Sequence, residues 1–505
     1  MHVSPPSSPP TTVPPVDDID AVVVGSGPNG LAGALTLARA GHRVVVYEGA
    51  PALGGGCQTA ELTLPGFHHD ICSAVHPMAV ASPFFRGVDL AARGVKMLTP
   101  PVAFAHPLDG GRAAAVGRSV DDTARTLGED GRAYRQLFGP LVPGIGEVVP
   151  TILGPLRKPP AHPVAMARLA LPGLLPVSWL ARPFKTEEAR ALLAGAAAHS
   201  LLTLDQPLTG SYALLFVALG HTYGWPVVEG GSSRLVDALA GELASMGAEF
   251  RLGQWVKSLV ELDSPKVALM DMSPRELARV LGDKAPPAYR RGLERYRYGP
   301  GVCKVDWALS GPVPWEAPLC REAGTLHLGG TFEQVAAAEA EVAAGRHPER
   351  PFCIIAQPGV VDATRAPAGK QTLWAYCHVP TGSETDMSER IEAQIERFAP
   401  GFRQLIMARS TRTAAGTEKA NPNYVGGDIS GGMATLRQTI FRPTVRWDNY
   451  ATGVPGVYIC SASAPPGGGV HGMCGYWAAR TALKGLAKRR HHTGRAGPAA
   501  GLGPP

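Results

Sequence analysis

The sequence predicts an α/β fold with two β-sheets, and three observations lead to this prediction. The β-branched run AVVV at residues 21–24 is followed by a glycine-rich turn, a helix-forming segment and a second run, HRVVVY, that ends at Tyr47. A second strand, glycine turn and helix pattern occupies residues 456–483. Between residues 300 and 438, strand-like segments such as GVCKVDWAL and QTLWAYCHVP alternate with helical ones, which is typical of a mixed sheet.

The first glycine-rich turn, GSGPNG, predicts a dinucleotide site. Gly25 permits the tight turn, Gly27 lets the backbone approach a pyrophosphate, and Gly30 allows close helix packing. The following helix offers N–H donors at its N-terminus, and Gly41 stands where a left-handed C-cap is expected. Glu48 ends the second strand, where a carboxylate accepts from ribose hydroxyls and disfavours the 2′-phosphate of NADP. The remaining choice is between FAD and NAD.

Two further features favour FAD over NAD. Leu53, Gly54 and Gly55 follow shortly after Glu48, and a second glycine-rich turn precedes a helix predicted to start near His471. The N-terminal dipole of that helix can stabilise a reduced tricyclic flavin, a role that an NAD domain does not require.

The domain prediction places the FAD-binding domain in three stretches, residues 18–99, 226–299 and 439–487. Residues 100–225 and 300–438 form the predicted substrate domain, whose first part has a helical, proline-punctuated pattern that would cover a substrate or line an entrance. The charge-free stretch 206–228 contains two prolines and His221, so it is interpreted as a buried lining rather than a membrane-spanning helix.

The chain ends and the charge pattern restrict the class of partner. Residues 1–17 and 488–505 are predicted to be disordered tails, the second of them basic. The net charge is +6, but five of the positive charges cluster at the C-terminal end, so a nucleic-acid groove is not expected. The basic tail is interpreted either as a solvated segment, which we favour, or as a peripheral contact with anionic lipid.

The eight cysteines indicate reduced thiols in a cytoplasmic protein. They show no CxxC pair and no spacing typical of zinc, so no metal site is expected. Cys57 and the next cysteine, Cys72, are fifteen residues apart. A disulfide reductase motif needs a second cysteine about five residues on, so that chemistry is improbable.

The motifs VVVGSGPNGLAGALTLARAGHRVVVYE, PALGGG, GWPVVEGGSSRLVDAL and PGVYICSASAPPGGGVHGMCGYWAAR resemble the phytoene desaturase-related NAD(P)/FAD-dependent oxidoreductases of the amine oxidase superfamily. The chain is also similar to pyridine nucleotide-disulfide oxidoreductase domain-containing proteins. The resemblance covers residues 20–484 and implies a glutathione-reductase-like FAD domain beside a mixed-sheet and helical substrate domain. The residues that it implies in FAD binding are Gly25, Gly27, Pro28, Asn29, Gly30, Glu48, Gly54, Gly55, Val256, Ser461, Gly467, Gly468, Gly469, Val470, Gly472 and Met473.

Three positions depart from the pattern of these relatives. Gly56 stands where an arginine is frequent, which removes one phosphate contact, and Ser461 replaces a common glycine. His471 stands where carotenoid desaturases more often have proline, which argues against a carotenoid substrate.

Catalytic candidates are few because hydride transfer to a flavin needs mainly alignment, a dry pocket and sometimes one base. His471 either donates a proton near the flavin or caps the following helix. Lys304 either acts beside the flavin, as lysines do in some amine oxidases, or extends its ammonium to the surface, which we favour. Tyr376 and His378 are candidates for the substrate side, and His76 is either a cavity residue or a structural one.

The predicted reaction moves a hydride between a C–C bond of a small apolar substrate and flavin N5, as a desaturase, saturase or isomerase does. Oxygen, a quinone and a nicotinamide remain open as electron acceptors, and no motif indicates the substrate or the oligomeric state. The first alternative is an amine oxidase, which requires an aromatic cage; Tyr476 and Trp477 lie within the last helix instead. The second is a flavin-holding scaffold without catalysis.

Overall fold

The structure is a computed structural model that describes residues 19–155 and 159–493, and the structural statements below concern these ranges. The strands, in chain order, are β1 (Ala21–Val24), β2 (Val44–Tyr47), β3 (Thr59–Ala60), β4 (His69–Asp70), β5 (Met97–Leu98), β6 (Phe104–Leu108), β7 (Arg112–Val116), β8 (Val227–Val228), β9 (Glu249–Arg251), β10 (Val267–Met270), β11 (Gly301–Leu309), β12 (Thr325–Leu328), β13 (Cys353–Ala356), β14 (Gln371–Val379), β15 (Ile406–Arg412) and β16 (Val457–Ile459).

Helices cover both sheets. They are α1 (Pro28–Arg39), α2 (Pro77–Ala81), α3 (Pro83–Arg86), α4 (Val120–Thr126), α5 (Gly131–Phe138), α6 (Ile145–Ile152), α7 (Pro163–Gly173), α8 (Val177–Leu180), α9 (Glu187–Ala198), α10 (Thr209–Tyr223), α11 (Ser233–Ser245), α12 (Pro274–Leu281), α13 (Pro287–Glu294), α14 (Pro318–Glu322), α15 (Phe332–Ala343), α16 (Ser388–Phe398), α17 (Ala414–Ala420), α18 (Leu436–Ile440) and α19 (Met473–Thr493).

The smaller sheet has five parallel strands in the order β16, β10, β1, β2, β9. The residues of β1, β2 and β10 are all buried, as expected for parallel strands covered on both faces. The predicted strand, helix and strand at residues 21–47 are confirmed, and Gly41 has a φ of +84° just after the helix, as a left-handed C-cap requires. The α/β fold class predicted from the sequence is therefore confirmed.

The larger sheet has seven strands in the order β15, β11, β14, β13, β12, β6, β7 and is mixed. Its pairs are antiparallel except for β12 with β6. One face packs on a core that includes Cys303, Val305 and Trp307 of β11. Because side chains alternate along a strand, the opposite face carries Lys304 and Asp306 of β11.

The prediction of helical structure across residues 100–225 was wrong for the first part of this range. Residues 104–116 form β6 and β7, a hairpin that extends the larger sheet. The turn between them contains Gly110 and Gly111, both with positive φ, and this Asp-Gly-Gly turn is a hairpin signal that the sequence analysis missed. Burial of the alanine-rich strand β7 against the sheet outweighs the helical propensity of alanine.

A buried ion-pair network joins segments from distant parts of the chain. The guanidinium of Arg365 donates to Asp362 at 2.7 Å, to Asp70 of β4 at 2.9 Å and to the carbonyl oxygen of Val228 at 3.1 Å. The two carboxylates also accept from the backbone N–H groups of Gly230 and Ser232, just before α11. The network therefore fixes β4 and the start of α11 to the loop that precedes β14.

The last helix extends further than expected. α19 runs to Thr493, so it includes the first six residues of the segment predicted as a tail from residue 488. The remainder of that tail, and the predicted tail at residues 1–17, lie outside the described residues. Among the helices in the described ranges, none combines the length and apolar character needed to cross a membrane.

Candidate functional site

The glycine-rich turn after β1 is built around the side chain of Asp271, which follows β10. A Cβ atom at Gly27 would lie 2.8 Å from Oδ2 of Asp271, and one at Gly25 would lie 2.6 Å from its carbonyl oxygen. A Cβ atom at Gly30 would lie 2.0 Å from the carbonyl oxygen of Gly25. The N–H of Gly30, in the first turn of α1, donates to Oδ2 of Asp271 at 2.8 Å. Glycine is thus required at each of the three positions.

The second predicted motif lies directly against the first. Gly54 and Gly55 have φ values of +118° and +53°, and a Cβ atom at Gly55 would lie 3.2 Å from the Cα of Gly27. The carboxylate of Glu48 accepts from the N–H of Ser26 at 2.9 Å and from its hydroxyl group. The Ser26 hydroxyl oxygen in turn accepts from the N–H of Gly54 at 3.1 Å. Ser26, which the sequence analysis passed over, therefore links the first glycine motif directly to Gly54 of the second and also to Glu48.

The segment that contains Val256 runs beside the end of β2. The N–H of Gln254 donates to the carbonyl oxygen of Glu48 at 2.8 Å, and Val256 packs, half-buried, against the core of the smaller sheet. The ring of Trp255 occupies the space where a Cβ atom of Gly49 would stand. The structure thus places the predicted adenine contact, Val256, near the predicted ribose contact, Glu48.

The C-terminal motif reaches the same region through α19. Helices α1 and α19 cross in backbone contact, since a Cβ atom at Gly475 would lie 1.7 Å from the carbonyl oxygen of Asn29 and 2.7 Å from the N–H nitrogen of Gly33. Both helices begin after strands of the smaller sheet, β1 and β16, which flank β10 and run parallel to it, so their carboxyl ends lie at the same edge. The two motifs are therefore adjacent in space although more than 400 residues separate them in the sequence.

The glycine-rich turn before α19 combines buried and exposed positions. Ser461, Gly467, Gly472 and Met473 are buried, Val470 is half-buried, and Gly468 and Gly469 are exposed. A Cβ atom at Gly467 would lie 2.8 Å from Nη1 of Arg442, a buried side chain that also donates to the carbonyl oxygen of Ala462. The sequence analysis did not find Arg442, because it lies 25 residues upstream without a motif of its own.

His471 is placed as a cap of α19. Its Nδ1 accepts from the N–H of Met473 at 3.0 Å, and its Nε2 lies 3.1 Å from the carbonyl oxygen of Gly467, to which it donates. Burial lowers the pKa of the imidazole to about 4, so the ring is neutral at pH 7. Both ring nitrogens are engaged with the backbone, which favours the cap over the proton-donating role.

Replacing His471 tests this assignment. We expect His471→Ala to lower the free energy of unfolding by about 1 kcal/mol, as loss of an N-terminal cap does, and His471→Asn to restore most of it. Urea denaturation of the two variants and the wild type measures the difference. Equal losses in both variants would show that the capping hydrogen bond contributes nothing.

Five side chains between the glycine motifs and the larger sheet indicate a cleft there. Cys72, Tyr212, Asp271, Tyr376 and Tyr424 are enclosed enough that burial raises the pKa of each, yet each keeps part of its surface accessible. We infer that this accessible surface lines a cleft. Its walls would come from the end of β10, the segment after Gly56, helix α10, strand β14 and the loop after α17.

Lys304 does not extend its ammonium group to the surface, so the interpretation favoured from the sequence was wrong. Its side chain is buried, forms an ion pair with Asp306 on the same strand, and lies 5.5 Å from the ring centroid of Trp374. Oδ1 of Asp306 lies 3.5 Å from Nδ1 of His69, whose pKa burial lowers to about 3. A neutral His69 therefore stands beside a paired lysine and aspartate on the cleft side of the larger sheet.

The neighbouring strand β14 presents a row of rings on the same face. Trp374 and Tyr376 stack with centroids 5.6 Å apart, and Tyr376 lies 5.9 Å from His378. Both oxygens of the buried Glu339 carboxylate approach Nδ1 of His378, at 2.8 and 2.9 Å, while Nε2 has no hydrogen-bond partner among the described residues. His378 is thus held by a carboxylate, and its second ring nitrogen is buried without a hydrogen-bond partner among the described residues. Glu339, on α15, was not found from the sequence because helical spacing alone gives it no role.

His76 and the aromatic pair of α19 have structural contacts. Nε2 of His76 lies 2.8 Å from the hydroxyl oxygen of Ser232, and burial lowers the pKa of this histidine to about 4. The indole N–H of Trp477 donates to the carbonyl oxygen of Leu153 at 3.1 Å, and Tyr476 packs edge-on against it. The hydrogen bond of Trp477 directs its indole toward the end of α6 rather than into a cage.

Comparison with known proteins agrees with this arrangement. Residues 23–86 match the family model of the NAD(P)-binding Rossmann-like domain. The chain is 26% identical to pyridine nucleotide-disulfide oxidoreductase domain-containing protein 2 of Rattus norvegicus, over 93% of this chain and 94% of that protein. It is 26% identical to the phytoene desaturase of Cercospora nicotianae, over 72% of this chain and 61% of that protein. The family model and these relatives support an FAD-type oxidoreductase superfamily for the chain.

Solved structures show the same fold in this superfamily. A variant of putrescine oxidase aligns with a TM-score of 0.59 over 93% of this chain and 99% of that protein, at 16% identity. This likeness shows a common fold. The resemblance expected from the sequence motifs is confirmed at the level of the superfamily by the Rossmann-like domain and the curated oxidoreductase relatives.

Proposed function

We propose that the chain binds FAD and transfers a hydride between a C–C bond of a small apolar substrate and the flavin. The observation that carries this proposal is the meeting of two glycine-turn and helix units, those of α1 and α19, at one edge of the parallel sheet. One such unit is enough to bind the adenosine diphosphate half of FAD. The N-terminus of a second helix can stabilise negative charge on the reduced flavin ring.

The residues at this edge fit the cofactor. Gly25 and Gly27 keep part of their backbone accessible, and the side-chain oxygen of the buried Asn29 has no hydrogen-bond partner among the described residues. That oxygen can accept from a hydroxyl group of the ligand. When FAD is bound, it supplies a hydride acceptor at flavin N5.

The cleft supplies the substrate side. The ring of Tyr376 is partly accessible, and behind it the buried His378 has an Nε2 without a hydrogen-bond partner among the described residues, oriented by the Glu339 carboxylate through Nδ1. An imidazole held in this way can accept the proton that leaves a substrate carbon when a hydride leaves its neighbour. We therefore propose His378, rather than His471 or Lys304, as the base.

One observation favours the amine oxidase as a second candidate. The stacked pair Trp374 and Tyr376 beside Lys304 is the aromatic and lysine combination that such an oxidase requires, and the sequence analysis did not find this pair. The ion pair of Lys304 with Asp306 weighs against it, because the ammonium group is already engaged.

The test begins with the purified full-length protein. We expect the two visible absorption bands of an oxidised flavin and the release of FAD on denaturation. Under anaerobic conditions, either apolar hydrocarbons should bleach the oxidised flavin, or unsaturated hydrocarbons should reoxidise the flavin after reduction with dithionite. We expect the rate of the observed reaction to be lower in His378→Ala by about 10²-fold or more. Bleaching by amines with release of hydrogen peroxide in air would instead support the amine oxidase, and a colourless protein that cannot be reconstituted with FAD would refute the proposal.

A further inference from the structure

The side chain of Asp271 occupies an unexpected place for a carboxyl group. It lies inside the glycine-rich turn, where Oδ2 accepts from the N–H of Gly30 in the first turn of α1. It also fills the space beside Gly25 and Gly27, the residues whose missing side chains would let a diphosphate approach. A carboxylate and a diphosphate are both anions, so both would compete for the same helix N-terminus.

We propose that Asp271 is a protonated carboxylic acid when the dinucleotide is bound, and that cofactor binding takes up one proton at this residue. The inference rests on the proposed function, because it requires a dinucleotide at the glycine-rich turn. A neutral acid removes the repulsion, keeps one oxygen as acceptor for the Gly30 N–H, and gains an O–H that can donate to a phosphate oxygen.

The surroundings of Asp271 favour the neutral form. Burial raises the pKa of its carboxyl group to about 7, against the effect of the Gly30 hydrogen bond, and the negative charge of Glu48 raises it further. The other titratable groups that interact with it are Tyr424, Cys460 and Cys474, and the pKa of each is raised above its usual value by burial, so they are neutral near pH 7. The added charge of a diphosphate moves the carboxyl pKa in the same direction.

A second observation at the same turn indicates a ligand. Asn29, beside Gly30 in the first turn of α1, is buried, and its side-chain oxygen has no hydrogen-bond partner among the described residues. Asp271 itself is deep in the protein yet partly accessible, so its carboxyl group borders the cleft. The unsatisfied oxygen of Asn29 and the accessible surface of Asp271 therefore both leave room at this turn for polar contacts with a ligand.

The pH dependence follows from the direction of the shift. Below pH 7 the acid is already protonated in the free protein, so pH has little effect on FAD affinity. Above pH 7 a proton must be taken up on binding, and affinity should fall by up to about ten-fold per pH unit. We expect Asp271→Asn, whose amide keeps the acceptor for Gly30, to bind FAD with nearly constant affinity from pH 6 to 9.

The experiment titrates FAD into protein from which the cofactor has been removed, by calorimetry at pH 8 in two buffers of different ionisation enthalpy. The wild type should take up close to one proton per FAD and Asp271→Asn close to none. Asp130→Asn is the matched control. The carboxylate of Asp130 also accepts from backbone N–H groups, those of Lys185 and Thr186, but it belongs to the predicted substrate domain. It should behave as the wild type.

The outcomes separate the two proposals. FAD binding without proton uptake, or with the same pH dependence in wild type and Asp271→Asn, would refute the role of Asp271 and leave the proposed function intact. No FAD binding by the wild type at any pH would refute both. If Asp271→Asn does not fold, Asp271→Ser takes its place in the same titration, and absence of proton uptake by the wild type at pH 8 refutes the role of Asp271 in either case.

Discussion

Replacing Arg365 by leucine is expected to lower the free energy of unfolding by about 3–5 kcal/mol at pH 7.5. The guanidinium is 1% exposed and pairs with Asp70 and Asp362, which are equally buried. Leucine fills much of the volume but leaves two carboxylates with no cation, and the cost of an uncompensated buried charge dominates. Chemical denaturation measures the loss.

The size of this loss should depend on pH. Protonation removes the charge of a buried carboxylate that has lost its cation, so the difference between Arg365→Leu and wild type should shrink as the pH falls toward 5. Arg346→Leu is the matched control, because Arg346 pairs with Glu341 at the surface and its loss should have no resolvable effect. A pH-independent loss would point to packing rather than charge.

The Arg365 network also shows why part of the site could not be predicted. Asp70, Asp362 and Arg365 lie up to 295 residues apart, and no local pattern marks an acid and a base that will meet in a core. Asp271 was missed for the same reason, since its partner Gly30 is 241 residues away. Local signals in a single sequence indicate turns and strands, whereas these contacts depend on how distant segments pack.

The features that could be predicted are those with local causes. The strands at residues 21–24 and 44–47 and the helix between them follow from β-branched runs, a glycine turn and a C-cap glycine, all within 30 residues. The start of α19, expected near His471, is at Met473. The hairpin of β6 and β7 had a local signal too, in Gly110 and Gly111, but its alanines and Pro107 obscured it.

Lys304 and His471 show how far a sequence pattern can assign a role to a single side chain. The alternation of β11 correctly places Lys304 on the face opposite Val305, but whether that face meets solvent or another domain is decided by the fold as a whole. His471 could be either cap or acid, and only the positions of the Met473 N–H and the Gly467 carbonyl favour the cap. Sequence patterns gave the candidates, and three-dimensional contacts distinguish between them.

The crossing of α1 and α19 gives the second large effect. We expect Gly475→Ala to lower the free energy of unfolding by about 3 kcal/mol, because its methyl group would overlap the carbonyl oxygen of Asn29, and only a shift of one helix relieves the overlap. The same shift would separate the two glycine-rich turns, so the FAD content of the folded fraction should also fall.

Gly241→Ala is the matched control for this substitution. Gly241 also lies within a helix, α11, but no atom lies within 4 Å of a Cβ atom placed there, so alanine should stabilise the protein by about 0.5–1 kcal/mol. Urea denaturation and the ratio of flavin to protein absorbance measure both effects. If Gly475→Ala matched Gly241→Ala in stability and kept its FAD, close backbone contact between α1 and α19 would not be required for the site. If Gly475→Ala remained stable but lost FAD, the crossing would serve cofactor binding alone.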